Sequence, residues 1–116
     1  MAEVLNVLIA FASIGLGAIG WLAPRYTMDL LDIAPTRSTM GLSEVRAASG
    51  ALFVGMGLGA LVLDTPLGYA MIGFCWAGAA VGRLTSIIAD GPVHPRKLLF
   101  FGVEAAVAAL ALSINL

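Results

Sequence analysis

The sequence has little charge. Asp, Glu, Lys and Arg make up 11% of its 116 residues, against 60% hydrophobic types, and mean hydropathy is +1.01. A soluble domain covers its surface with about a quarter charged residues. A chain this poor in charge would expose apolar surface in every direction, and lipid is the solvent that tolerates this. Lysine occurs once, at Lys97, and the net charge of -1 gives no basic footprint for nucleic acid. Cysteine occurs once, at Cys75, which excludes an intrachain disulfide and a thiolate metal site. With a single histidine, His94, a protein-only zinc site is not expected either, and the composition points to no cofactor. No dinucleotide fingerprint, phosphate loop, paired-histidine signature or nucleophile elbow is present.

What the chain does have is long apolar runs. A bilayer core takes roughly 20 apolar residues as helix. Four runs meet that length, at about 4–23, 39–63, 67–89 and 96–116. Pro24 and Arg25 close the first, Asp64 to Pro66 the second, and Asp90 to Pro92 the third. Pro95 suits the first turn of the fourth, where its missing N–H would be unpaired anyway. The first run is preceded by Glu3 and by no Lys or Arg, so it is expected to be a retained span and not a secretory signal. The segment 26–35 mixes Met28, Leu30, Leu31 and Ile33 with Asp29 and Asp32. It suits either a short helix lying at the interface or a plain loop. The expected fold is all-α: a single polytopic membrane domain over 1–116, folded as a compact antiparallel four-helix transmembrane bundle.

Four crossings put the one-two and three-four connections on one side. Arg25, Arg37, Arg96 and Lys97 lie there, and Arg46 and Arg83 lie within spans near the same side. The opposite side holds Glu3 and Asp64 and no basic residue. The positive-inside bias then places the basic loops in the cytoplasm and both termini outside.

Glycine is frequent in the first three spans, and alanine takes its place in the fourth. Gly55 and Gly59 form one small-xxx-small pair, and Gly78 and Gly82 another. Such spacing lets helix backbones approach closely. These faces either pack the bundle internally or dock a larger membrane complex or a second copy.

The ionisable residues within the spans are Glu44, Arg46, Arg83 and Glu104, all toward the basic end. A charge at the bilayer centre costs about 2.5–3.5 kcal/mol on insertion scales, so such groups are paired, snorkelling or near water. Glu44 and Arg46 are two apart and do not share a face. Glu44 continues into Ala47, Ala48 and Ala51, which reads as a packed interior seam. Arg83 is expected to pair with Glu44, with Glu104, or with both. Asp90, and His94 in the turn before Pro95, are secondary candidates, and Asn6 has no evident partner.

Two short stretches carry a family resemblance. Gly41-Leu42-Ser43-Glu44-Val45-Arg46 has the pattern G-x-x-E-x-R, and Gly82-Arg83-Leu84-Thr85-Ser86, followed by Asp90 and Gly91, forms a second motif. With four short spans, the chain resembles the small bacterial membrane proteins grouped as domain of unknown function 4345, and is broadly similar to DoxX-like proteins. The resemblance implies a bacterial inner-membrane protein and singles out Glu44, Arg46, Arg83 and Ser86. Three function classes follow. The first is binding, or acting on, a lipid or small apolar or anionic molecule at the Glu/Arg cluster. The second is an accessory subunit of a larger membrane complex. The third is a small oligomeric transporter.

Overall fold

A computed structural model describes residues 1–116. It is all-α, with helices α1 (Ala2–Leu22), α2 (Pro24–Leu30), α3 (Met40–Leu63), α4 (Pro66–Ala89) and α5 (Pro95–Asn115). The four long helices α1, α3, α4 and α5 are each long and apolar enough to cross a membrane. Their side chains explain why water is the wrong solvent: Val62 is 83% exposed and Ile88 78%. The spans end within two residues of the sequence boundaries, the scatter usual for helix termini. Segment 26–35 is helical only as far as Leu30, and the helix starts two residues earlier, at Pro24.

The breaks follow from local chemistry. Thr65 caps α4, its side-chain oxygen accepting from the Gly68 N–H at 3.1 Å, with Pro66 in the first turn. His94 caps α5 in the same manner, its Nδ1 accepting from the Arg96 N–H at 3.1 Å. After α4 the chain turns through Gly91, whose φ of +77° is accessible to glycine without strain. Between α3 and α4, Asp64 takes φ +44°, a left-handed conformation that aspartate tolerates.

The chain forms two compact units, Val7–Val62 and Met1–Asn6 with Leu63–Leu116. In the first, α1 and α3 meet backbone to backbone. A Cβ on Gly17 would stand 2.6 Å from the Gly50 carbonyl oxygen and 2.7 Å from the Val54 nitrogen. One on Gly20 would strike the Ser49 carbonyl, and one on Gly57 would stand 2.6 Å from the Ala10 carbonyl oxygen. The α3 side of this seam includes a π-helical turn, Ala47–Ala51. Arg46 completes the seam by donating from Nη1 to the Trp21 carbonyl at 2.6 Å, in the last turn of α1. A cation there satisfies an orphan carbonyl and opposes the negative end of the helix dipole. The seam is therefore Arg46, Ser49, Gly50, Val54 and Gly57. Of the face expected from the sequence, Glu44, Ala47 and Ala48 are exposed instead, and Ala51 is half-buried. The physical reason is steric: a glycine admits another backbone, whereas an alanine methyl holds it away.

In the second unit α4 and α5 run antiparallel around Ile72, Trp76, Ala80, Ala108 and Ala111, all buried. Gly73 makes room for Leu112, whose Cγ would lie 2.8 Å from an added Cβ. The start of α1 is tied to the end of α5 by a reciprocal amide pair. Asn6 Nδ2 donates to Asn115 Oδ1 at 2.8 Å, and Asn115 Nδ2 donates to Asn6 Oδ1 at 2.7 Å and to the Ala111 carbonyl at 2.7 Å. Asn6, for which the sequence offered no partner, thus finds one 109 residues away. Interhelical polar pairs in membranes average about 0.6 kcal/mol and reach about 1.7. A double-mutant cycle on Asn6→Ala and Asn115→Ala in detergent is expected to give a coupling of about 1 kcal/mol. A coupling indistinguishable from zero would show that the amides do not act as a pair.

The glycine pairs singled out from spacing behave differently from the seam. Nothing lies within 4 Å of a Cβ added at Gly55, Gly59, Gly78 or Gly82.

Candidate functional site

The site is built where α4 and α5 face one another. Arg83 lies six residues before the end of α4, about 9 Å of helix from Ala89. Glu104 lies nine residues into α5, about 13 Å from Pro95. Their side chains form a two-point ion pair: Arg83 Nη2 to Glu104 Oε1 at 2.7 Å and Arg83 Nε to Glu104 Oε2 at 3.3 Å. The fork of a guanidinium matches the two oxygens of a carboxylate, so this geometry adds direction to the Coulomb attraction. The two partners are unequally covered, with side-chain exposures of 31% for Arg83 and 9% for Glu104. The guanidinium also sits over the ring of Phe100, 5.3 Å from its centroid. Phe100 is one turn before Glu104 on α5, so the ring and the carboxylate hold the same cation from one helix face.

A guanidinium has five N–H donors. Two are committed to Glu104, which leaves three on the outer edge of a partly exposed side chain. Every buried side-chain nitrogen and oxygen in the protein has a hydrogen-bond partner, so the pair is electrically complete on its inner side. Chemically, the arrangement can accept a second anion on the outer edge of Arg83 while Glu104 fixes the orientation of the first edge. No three His, Cys, Asp or Glu side chains are gathered to hold a metal ion.

Residues 1–114 match the family described as Domain of unknown function (DUF4345). The chain belongs to this family. No curated protein and no solved structure matches it. As a DUF4345 member with four apolar long helices, it is an integral membrane protein.

The residues singled out from the sequence fall into different roles in this DUF4345 chain. Arg83 and Glu104 come together. Ser86 is half-buried one turn beyond Arg83, and its carbonyl accepts from the Asp90 N–H at 2.9 Å, closing the end of α4. Asp90 is exposed, and its carbonyl receives Lys97 Nζ at 3.3 Å. His94 is exposed and serves as the cap of α5. Glu44 and Arg46 belong to the Val7–Val62 unit, where Glu44 is exposed and Arg46 binds the Trp21 carbonyl. Phe100 was not singled out from the sequence; its i, i+4 spacing to Glu104 was the available signal.

Proposed function

We propose that this protein binds an anionic molecule in the membrane, held through an oxyanion group by Arg83. One observation carries the reading: a guanidinium within a helix apolar enough to span a membrane, fixed by Glu104 and Phe100, retains three N–H donors and is 31% exposed. Leaving such donors facing hydrocarbon is costly, so water or an anion must meet them. An anion there gains charge-assisted hydrogen bonds from a group whose orientation has already been fixed. Orientation supports the reading. On the four-crossing topology read from the sequence, all six Lys and Arg residues fall toward one end, the end that the positive-inside rule assigns to the cytoplasm. Anionic lipids and anionic metabolites are both found on that side.

The test compares the wild-type chain in mild detergent with the double variant Arg83→Gln/Glu104→Gln. The double variant keeps the side-chain volumes and removes both charges, so no unpaired carboxylate remains. Binding of the anionic lipid phosphatidylglycerol, with zwitterionic phosphatidylcholine as reference, is measured by native mass spectrometry. Wild-type protein is expected to prefer the anionic lipid, and the double variant to lose about tenfold in affinity for it, equal to about 1.4 kcal/mol. Unchanged selectivity in the double variant would overturn the reading.

A second reading, an accessory subunit of a larger membrane complex, is favoured by a different observation: the empty space above Gly55, Gly59, Gly78 and Gly82. Exposed small residues at helical spacing suit close approach of another membrane helix. Co-purification of a fixed partner after mild solubilisation would support it, and a stable lone chain would count against it.

A further inference from the structure

We propose that Arg83 binds its oxyanion together with a proton, which Glu104 takes up as the anion arrives. This rests on the anion-binding reading above and adds how that site is controlled. It starts from the way Arg83 divides its hydrogens. Nη2 donates one to Glu104 Oε1 at 2.7 Å, and Nε donates its own to Oε2 at 3.3 Å. The second hydrogen of Nη2 points into the neighbouring fork of the planar group, which it shares with Nη1. An oxyanion seated in that fork and the carboxylate of Glu104 are then held by the same nitrogen. Two negative charges face a single positive one.

In water this would matter little. Here the Glu104 side chain is 9% exposed, and both partners belong to helices apolar enough to span a membrane. Without the anion the pair is neutral. With it the site carries a net negative charge, which a medium of low dielectric screens poorly. Within the same unit, the other charged groups lie about two helical turns away or more. On α4, Asp90 is seven residues beyond Arg83, about 10 Å of helix. On α5, Lys97 is seven residues before Glu104 and turns its Nζ to the Asp90 carbonyl, and Arg96 and His94 lie beyond it. The start of α1, with Glu3, meets α5 at Asn115, eleven residues past Glu104. A negative charge brought beside a carboxylate favours its protonated form. Arg83 keeps its proton at any accessible pH, so Glu104 is the group that restores neutrality. The proton comes from water and rests on Oε1, the oxygen nearer the open fork, where the O–H faces the bound oxyanion. Oε2 goes on accepting from Nε. Anion and proton enter together and are neutral in sum.

The experiment uses the full chain in mild detergent with phosphatidylglycerol. Its phosphodiester stays singly ionised from mildly acidic to mildly basic pH, so any pH dependence belongs to the protein. Titration calorimetry at one neutral pH, in the cationic buffers Bis-Tris and Tris, counts the protons taken up per lipid from the difference in buffer ionisation heat. Wild-type protein is expected to take up as much as one proton per lipid, and to lose up to about tenfold in affinity per pH unit as pH rises. Glu104→Gln is expected to take up none, to bind independently of pH, and to bind about tenfold more tightly than wild type at the basic end. Should Glu104→Gln not fold, the wild-type proton count still tests the coupling. His94→Asn removes the histidine that titrates in the same range, keeps a capping side chain, and is expected to behave as wild type. Dimethyl phosphate, the same ionised group without acyl chains, is titrated alongside. Uptake with both probes supports a site for oxyanions at large, and uptake with the lipid alone supports a headgroup site. No proton uptake by wild type, while Arg83→Gln/Glu104→Gln still loses affinity, overturns the coupling and leaves the anion-binding reading standing. Uptake that persists in Glu104→Gln overturns it too, because another group then carries the proton. If the double variant binds as wild type does, the underlying reading fails.

Discussion

Arg83→Gln alone is expected to destabilise the protein by about 3 kcal/mol, and adding Glu104→Gln to restore most of that loss. The asymmetry comes from where the charges sit. Glu104 is nearly enclosed, with its side chain 9% exposed, and both of its oxygens point at Arg83. Removing the guanidinium strands a carboxylate with little access to water. Breaking one side of a buried pair costs about 3–5 kcal/mol. The lower end applies because Arg83 is itself 31% exposed, and solvent or headgroups screen part of its attraction. In the double variant two amides can hydrogen-bond across the same gap, and no charge is left uncompensated. Replacing a whole buried pair is often neutral or better. Equilibrium unfolding in detergent micelles, run on the single and double variants, measures both numbers. A single-variant loss below about 1 kcal/mol would show that the pair contributes little to the fold.

The second large effect is expected in the α1–α3 seam. Gly50→Ala should cost about 1–2 kcal/mol, while Gly55→Ala on the same helix should be neutral or stabilising by up to about 1 kcal/mol. At Gly50 a methyl group would stand 2.6 Å from the Trp21 nitrogen, 2.8 Å from its Cα and 2.9 Å from the Gly20 carbonyl carbon. All three are backbone atoms, which have no rotamer to change. The helices must move apart, and the close contacts at Gly17, Gly20 and Gly57 loosen with them. Overpacking of this kind costs typically about 1–3 kcal/mol. The higher helix propensity of alanine, up to about 1 kcal/mol, offsets part of it. At Gly55 the methyl meets nothing, so no steric term arises. The same unfolding assay decides the matter: equal values for the two variants would contradict the seam as the place where α1 grips α3.

The two glycine positions also show what can be read from a sequence of this kind. The spans were legible because their lengths match a bilayer and because Pro24, Asp64 to Pro66 and Asp90 to Pro92 punctuate them. The need for a partner for Arg83 was legible too, since a lone charge at that depth is expensive. Which carboxylate it takes was not. Glu44 lies four residues into its helix and Glu104 nine, but depth says nothing about which helices are neighbours. The regular glycine spacing of Gly55–Gly59 and Gly78–Gly82 pointed to a face but not to what covers it. The glycines that pack α1 on α3, Gly17 with Gly20 and Gly50 with Gly57, lie three and seven residues apart and so show no four-residue repeat. The π turn, Ala-Ala-Ser-Gly-Ala, has a composition that ordinary helix also accepts. The Asn6–Asn115 pair was hidden for a simpler reason: no local pattern relates two polar residues near opposite chain ends.

The π turn at Ala47–Ala51 has a mechanical consequence for the span it interrupts. A one-residue insertion in a regular helix swings everything beyond it by about 100°. A π turn absorbs such a swing within a single loop of backbone. Arg46 on one side of it and Gly57 on the other both still reach α1, while Glu44 looks outward. Outward positions at the Glu44 end can drift in evolution without disturbing the grip on α1, as a wrist turns without moving the shoulder.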